Sequence, residues 1–515
     1  MTKFSEFVYN LSSNILRYIG VIFTLLLFIS ALLFSFADTD ITTLPAKIRT
    51  DNLFVGIICL VLMLLIFYLL KFPCQKNSKL TLRILLAVTM LLYTGCGIFL
   101  ILCAKSAPIS DSYFVYEITQ ACATNDYTAI NPTSYLSVYP HQIGLVFFYE
   151  PLLRLWNLLQ IPVEGFVFLQ YVNIILVLVT LYFMYKIIQL IFQNDYTTAC
   201  YFVLTWFFAP FYLFILRVYG DISSISLFTV GLWAFIKLTS NKGYKMLLYC
   251  LLSIVCFGLS VATRKNVLVA IIGLIIIALL TALFQKKRAL LFPIVCYIII
   301  SCCTLPAIQA FYEHRAGDEL AEGTPPIAFI CMGMQQGFHA NGWYNSYNYN
   351  IYVESGHNMD FIRLYSKKRI DERLDYFKNN PKEAYEFYFE KFASQWCDGT
   401  YYSREITACP SDQRGTAFEK FYSKDGGSLY LFVCNQFQTL LYFGAAAFCI
   451  YSLFKKDDKT LLPHLGVLIA FGGFLFHLLW EANSRASLPY AFLLLPSAAA
   501  GISLCMNKIH KFTQI

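Results

Sequence analysis

Long apolar runs separated by short polar stretches dominate the chain. A helix that crosses a bilayer needs about 20 mostly apolar residues. Runs of that kind lie near 16–36, 53–72, 82–104, 166–190, 198–216, 222–239, 246–262, 267–284, 289–311, 429–454, 461–480 and 487–506. The pattern predicts an all-α polytopic membrane protein with about twelve transmembrane helices. Residues 141–158 are also apolar, but Pro151, Arg154 and Trp156 suit a re-entrant or interfacial helix better than a span. Two polar stretches stand out. One, 105–165, follows the third run; the other, 312–428, separates the ninth from the tenth. The expected organisation is a transmembrane part over 1–311, an outer cap over 312–428 and C-terminal helices over 429–515.

Composition agrees with a lipid-solvated chain. Of 515 residues, 58% are hydrophobic and 14% charged, against roughly 25% charged in a soluble domain. The first run is too long for a signal-peptide core and lacks a small-residue cleavage pattern, so it reads as a first spanning helix. The net charge is +8, and its placement carries the information. With the N-terminus in the cytoplasm, the short inner segments hold Lys71, Lys76, Lys79 and Arg83; Lys237, Lys242 and Lys245; Lys286, Lys287 and Arg288; and Lys455, Lys456 and Lys459. The short outer segments are poorer in Lys and Arg. This bias places both termini in the cytoplasm and 105–165 outside. The long segment 312–428 does not vote, because long loops translocate regardless of charge. The basic residues form no patch for nucleic acid. Most of the 17 cysteines lie in apolar runs as small fillers. Cys397 and Cys409, in the polar segment, could pair in an oxidising compartment.

In this topology the polar interruptions at helix ends fall on the outer side. They are Asp111; Tyr139-Pro140-His141-Gln142; Arg217-Val218-Tyr219-Gly220-Asp221; Arg264-Lys265-Asn266; Gly342-Trp343-Tyr344-Asn345; and Glu481 through Arg485. Ionisable groups near a membrane are costly and mark function. A carboxylate with several cations in an aromatic cleft suits a reaction that releases phosphate. Arginine offers a planar fork to phosphate oxygens. Cations where leaving-group charge develops lower the barrier. A carboxylate can take the proton of an attacking hydroxyl. Outside the membrane the activated sugar at hand is one carried through phosphate on a polyprenyl lipid.

The order of these motifs resembles the GT-C class of membrane glycosyltransferases, and most of all the bacterial branch of glycosyltransferase family 39, relatives of protein O-mannosyltransferases and the lipid A aminoarabinose transferase. The likeness rests on Asp111, on Tyr139-Pro140 with Gly144, on Val218-Tyr219-Gly220-Asp221, and on Arg264-Lys265-Asn266. It continues in Met332-Gly333-Met334 with Gly342-Trp343-Tyr344-Asn345, and in Leu479-Trp480-Glu481 with Ser484-Arg485. It implies a GT-C-like fold and an inverting transfer from a polyprenyl-phosphate sugar to an extracytoplasmic glycan or glycolipid, with Asp111 as base. Asp221 would assist or bind the acceptor. Arg485, Arg264, Lys265 and Arg217 would hold the phosphate, with Glu481 one turn from Arg485 orienting it. Tyr139 and His141 would line the site, and Trp343 and Tyr344 would stack on sugar. Asp38 and Asp40 resemble the metal-binding pair of oligosaccharyltransferases, but a divalent metal is not favoured. The chain departs from the family pattern in two ways: Asp111 follows the third span rather than the first, and no second acidic residue adjoins it, Glu117 being the nearest. Each residue also has a plainer role. Asp111 and Asp221 could cap helices, and the cations could snorkel to head groups. A transporter or flippase of lipid-linked sugars, or an envelope glycan polymerase or ligase, would use similar groups.

Overall fold

The computed structural model describes residues 3–36, 47–284, 287–407, 424–454 and 460–513. Asp38, Asp40 and Cys409 lie outside them, so the metal-pair and disulfide expectations are not addressed by the fold. Cys397 is buried as a free thiol.

The helices follow the apolar runs, because in lipid the backbone must satisfy its own hydrogen bonds. In chain order they are α1 (Lys3–Leu33), α2 (Leu53–Ala104), α3 (Asp111–Ala123), α4 (Tyr135–Val138), α5 (Ile143–Leu158), α6 (Gly165–Phe192), α7 (Asp195–Phe207) and α8 (Ala209–Leu213). There follow α9 (Gly220–Ser240), α10 (Gly243–Thr263), α11 (Val267–Phe284), α12 (Leu291–Ala316), α13 (Pro326–Gly333) and α14 (Tyr347–Glu354). The series ends with α15 (Met359–Asn379), α16 (Pro381–Trp396), α17 (Ser403–Thr407), α18 (Lys424–Phe454), α19 (Leu465–Leu479) and α20 (Ser484–Thr513).

Among the described residues ten helices are long and apolar enough to cross a membrane, or eleven if a bent pair is counted as one span. The bent pair is α7 and α8, which turn by 65° at Phe208 (φ −80°, ψ 66°). The run at 198–216 is therefore a broken span rather than a continuous one. The 52 residues of α2 would rise about 78 Å, more than twice the ~30 Å of a hydrocarbon core. Non-helical Asn77 (φ −157°, ψ 89°) splits it, four residues after Pro73. Helix α5 is a 16-residue segment that is not among the spans, as its Pro151 and Arg154 suggest. The first run ends earlier than its hydropathy implies: Phe34–Phe36 leaves the helix and pairs as an antiparallel strand with Ile48–Thr50.

Helix α20 lies at the centre, 83% buried over its apolar window, whereas α2, at 17%, faces lipid. The cap segment docks on this centre. Trp396 stacks on Tyr490 of α20 at 5.9 Å, and its carbonyl accepts from the Tyr442 hydroxyl at 3.2 Å. Gly399 donates its N–H to Asn435 at 3.0 Å. A second tie joins α5 and α12. Buried Glu150 accepts from Arg154 at 2.7 Å, from Arg315 at 3.1 Å and from the Tyr312 hydroxyl. Arg154 is thus a paired structural cation.

Candidate functional site

Asp111 is the first residue of α3, after a turn in which Ser110 takes positive φ (54°). It does not cap the helix. No side chain does so from Ser110, and the Ser112 hydroxyl closes the turn, accepting from the Ile109 N–H at 3.1 Å and donating to the Ile109 carbonyl at 2.8 Å. The half-buried Asp111 carboxylate lies within electrostatic reach of Tyr135, Tyr139, Arg217, Tyr219 and Glu481.

The Arg217–Tyr219 turn is held by polar side chains that α6 carries inside the bundle. Asn173 donates to the carbonyls of Ile215 (3.1 Å) and Arg217 (3.0 Å), and Gln170 to that of Leu216 (3.0 Å). Arg217, buried, donates to the Ile109 carbonyl at 3.2 Å and so braces the turn that presents Asp111. The Tyr219 ring is a shared platform: the guanidinium carbons of Arg217 and Arg485 each stand 5.3 Å from its centroid. Its hydroxyl accepts from Gln142 at 2.5 Å.

Gly220 admits the end of α10. A Cβ there would stand 2.1 Å from the Thr263 carbonyl oxygen, so only glycine allows α9 to begin this close to Arg264. The next residue, Asp221, pairs with Arg264. Asp221 has no exposed surface. Its carboxylate is held in the ion pair with Arg264. Burial, with Arg485 adding repulsion, pushes the Arg264 guanidinium down to about 9 and that of Arg217 down to about 10. Arg217 and Arg264 stay charged at neutral pH, and both feel the repulsion of Arg485. Among the described residues, the buried Nε atoms of Arg217 and Arg485 have no hydrogen-bond partner. Crowded cations with unused donors make a cradle for an anion.

Glu481 does not sit one helical turn from Arg485. Trp480 is extended (φ −74°, ψ 167°), α19 has ended, and Asn483 opens α20 by accepting the Arg485 N–H at 2.8 Å. The expected i,i+4 pairing fails because no helix spans the two residues. Glu481 still feels Arg485 through space; burial, opposed by Arg485 and reinforced by Asp111, pushes its carboxyl up to about 7. The neighbouring loop reaches it through the backbone, with the Ala482 N–H donating to the Gly342 carbonyl at 2.8 Å. Gly342 itself is left-handed (φ +76°), and its missing Cβ leaves room for the Lys391 side chain.

Lys391 is the site residue that the sequence hid. It sits in an aromatic helix, α16, and is buried. Its ammonium donates to the carbonyls of Gly333 (2.5 Å) and Leu478 (3.0 Å), clamping cap to span beside Glu481. Burial pushes it down to about 7, and Glu481 works against that. Of the two aromatics expected to stack on sugar, Trp343 is buried, donates to Ser394 at 2.9 Å and packs against Phe36, so it is a packing residue. Tyr344 is exposed and faces Tyr139. Lys265 is exposed beside His141. Desolvation, with Lys265 adding, pushes the His141 imidazole down to about 3, so it is neutral and can accept a hydrogen bond. Among the described residues, no group of three or more His, Cys, Asp or Glu side chains could hold a metal ion.

Residues 9–499 match the profile of a family described as a conserved hypothetical integral membrane protein. The chain belongs to that family. It is a multi-pass integral membrane protein, as ten apolar helices require. No curated protein matches it.

Proposed function

We propose that this protein is a membrane glycosyltransferase. It moves a sugar from a polyprenyl-phosphate donor to a glycan or glycolipid acceptor on the extracytoplasmic face. One observation carries the proposal: Asp111, Arg217, Arg264, Glu481 and Arg485, spread over most of the chain, come within electrostatic reach of one another, and among the described residues the buried Nε atoms of Arg217 and Arg485 have no hydrogen-bond partner. Splitting α2 at Asn77 and taking the bent α7–α8 pair as one span gives twelve spans, an even number that agrees with both termini lying in the cytoplasm, as the proposed GT-C-like fold would have them.

Asp111 is the base because its companions are committed elsewhere. Asp221 is bound to Arg264, and Glu481 is held near neutrality by burial. Asp111 takes the proton of the acceptor hydroxyl. The hydroxyl oxygen bonds to the anomeric carbon from the side opposite the phosphate, and the carbon–oxygen bond to phosphate breaks with inversion. The electron pair leaves on the lipid phosphate, where Arg217, Arg264 and Arg485 meet the growing charge. Lys265, His141, Tyr139 and Tyr344 border the cleft where donor and acceptor would enter.

Charges at helix ends on one side favour this chemistry over a transporter, which places ionisable groups near the bilayer midplane. The test is an assay of purified protein in liposomes with two labelled lipids, a polyprenyl-monophosphate sugar and a polyprenyl-diphosphate oligosaccharide, each followed for transfer and for flipping. Transfer from the monophosphate alone supports the proposal. Use of the diphosphate alone points to a polymerase or ligase, and flipping without transfer points to a flippase.

A further inference from the structure

Far from the chamber, a cavity of about 270 Å³ opens between α1, α18 and α20. Its walls are Leu25 and Phe28 of α1, Phe443, Ala446, Ala447, Ile450, Tyr451 and Phe454 of α18, and Leu504, Cys505 and Lys508 of α20. The gap has a simple origin: Ala446 and Ala447 stand where larger side chains would meet α1 and α20. One side is open to the surroundings, where Phe454 is 79% exposed. The lining is apolar except at one end. There the Lys508 ammonium stands 5.3 Å from the Tyr451 ring centroid.

Depth identifies what meets this groove. Lys508 lies 23 residues beyond Arg485 on the same helix, a rise of about 35 Å, close to the ~30 Å of a hydrocarbon core. Arg485 belongs to the chamber, so Lys508 stands at the head groups of the opposite leaflet. A void in a protein wall forfeits dispersion contacts, and here the adjoining medium is acyl chain. The volume is near the lower end of small-molecule sites, ~300–1,000 Å³, enough for a stretch of one chain and too small for a whole lipid. The Lys508 cation at the mouth complements a phosphate that carries net charge.

We propose that this groove holds one acyl chain of an anionic phospholipid from the leaflet opposite the chamber, with its phosphate on Lys508. The site is independent of the glycosyltransferase assignment. The experiment uses the purified full chain, exchanged into mixed micelles with equal phosphatidylglycerol and phosphatidylcholine of matched chains, and counts retained lipid by native mass spectrometry. The wild type should retain one phosphatidylglycerol, several-fold over phosphatidylcholine. Lys508→Gln, at an exposed helix end where the fold is not at stake, should equalise the two lipids while keeping one bound. Ala447→Phe, which fills the groove, should lose both. Equal retention by the wild type, or an unchanged preference in Lys508→Gln, overturns the proposal, as does undiminished binding by a monodisperse Ala447→Phe.

Discussion

In the proposed reaction Asp111 is assigned the role of base because of what surrounds it. Its turn is closed by Ser112 and braced by Arg217, and its neighbours are tyrosines and one carboxyl that holds its proton to about pH 7. Glu481 offers a pH test whose sign follows from burial. Its carboxyl moves from 4.5 to about 7 in the folded protein, so between those values the folded state keeps a proton that the unfolded state has released. Its contribution to stability therefore falls as pH rises through that window. Glu481→Gln removes the fall, and the difference in melting temperature between variant and wild type should widen from pH 5 to pH 8. Parallel melting curves in detergent would refute the role of burial here. Arg485→Ala should raise the KM for a phosphate-bearing donor about tenfold or more, with Arg485→Lys recovering only part, since an ammonium lacks the planar fork. At this scale the sequence revealed residue types better than environments. Asp111 and the arginines were visible as polar interruptions of apolar runs. Trp343 was not separable from exposed Tyr344, because an aromatic in a polar segment looks the same whether it packs or waits for a ligand. Lys391 was hidden because a lysine on a mixed helix is normally solvated.

At the scale of elements, the apolar runs were legible because lipid demands apolar length, and among the described residues ten long apolar helices and one bent pair lie on them. Their ends were not. Three residues, Phe34–Phe36, are too few to show strand alternation, so they read as helix. The bend at Phe208 lies inside an apolar stretch, where a broken span and a straight one have the same hydropathy. The extended Trp480 turns a supposed helical pair, Glu481 and Arg485, into neighbours across a break. Close helix approach decides the site, and Gly220 is its pivot. Gly220→Ala would force the new Cβ against the Thr263 carbonyl and push Asp221 off Arg264. The expected cost is about 1–3 kcal/mol of stability, with loss of activity. Unchanged melting together with unchanged turnover would show that the contact does not position the site.

At the scale of the molecule, the proposed chemistry requires one chamber on one side of the membrane. In a cysteine-depleted background, single cysteines at 265 and 344, both exposed at the cleft, should react with an impermeant thiol reagent in intact cells, and one at 508 only after permeabilisation. Reaction of 265 and 508 from the same side would break the topology. The central claim is that a membrane-face carboxylate drives sugar transfer from a phosphate-linked lipid, and one measurement meets it head-on. Purified wild type and Asp111→Asn are given the same labelled polyprenyl-monophosphate sugar and a membrane extract as acceptor, and the rate of label transfer is read. The predicted result is transfer by the wild type and a loss of about 10²-fold or more in the variant, the scale of a missing general base, at equal expression and melting temperature. Transfer by Asp111→Asn at close to the wild-type rate would contradict the account.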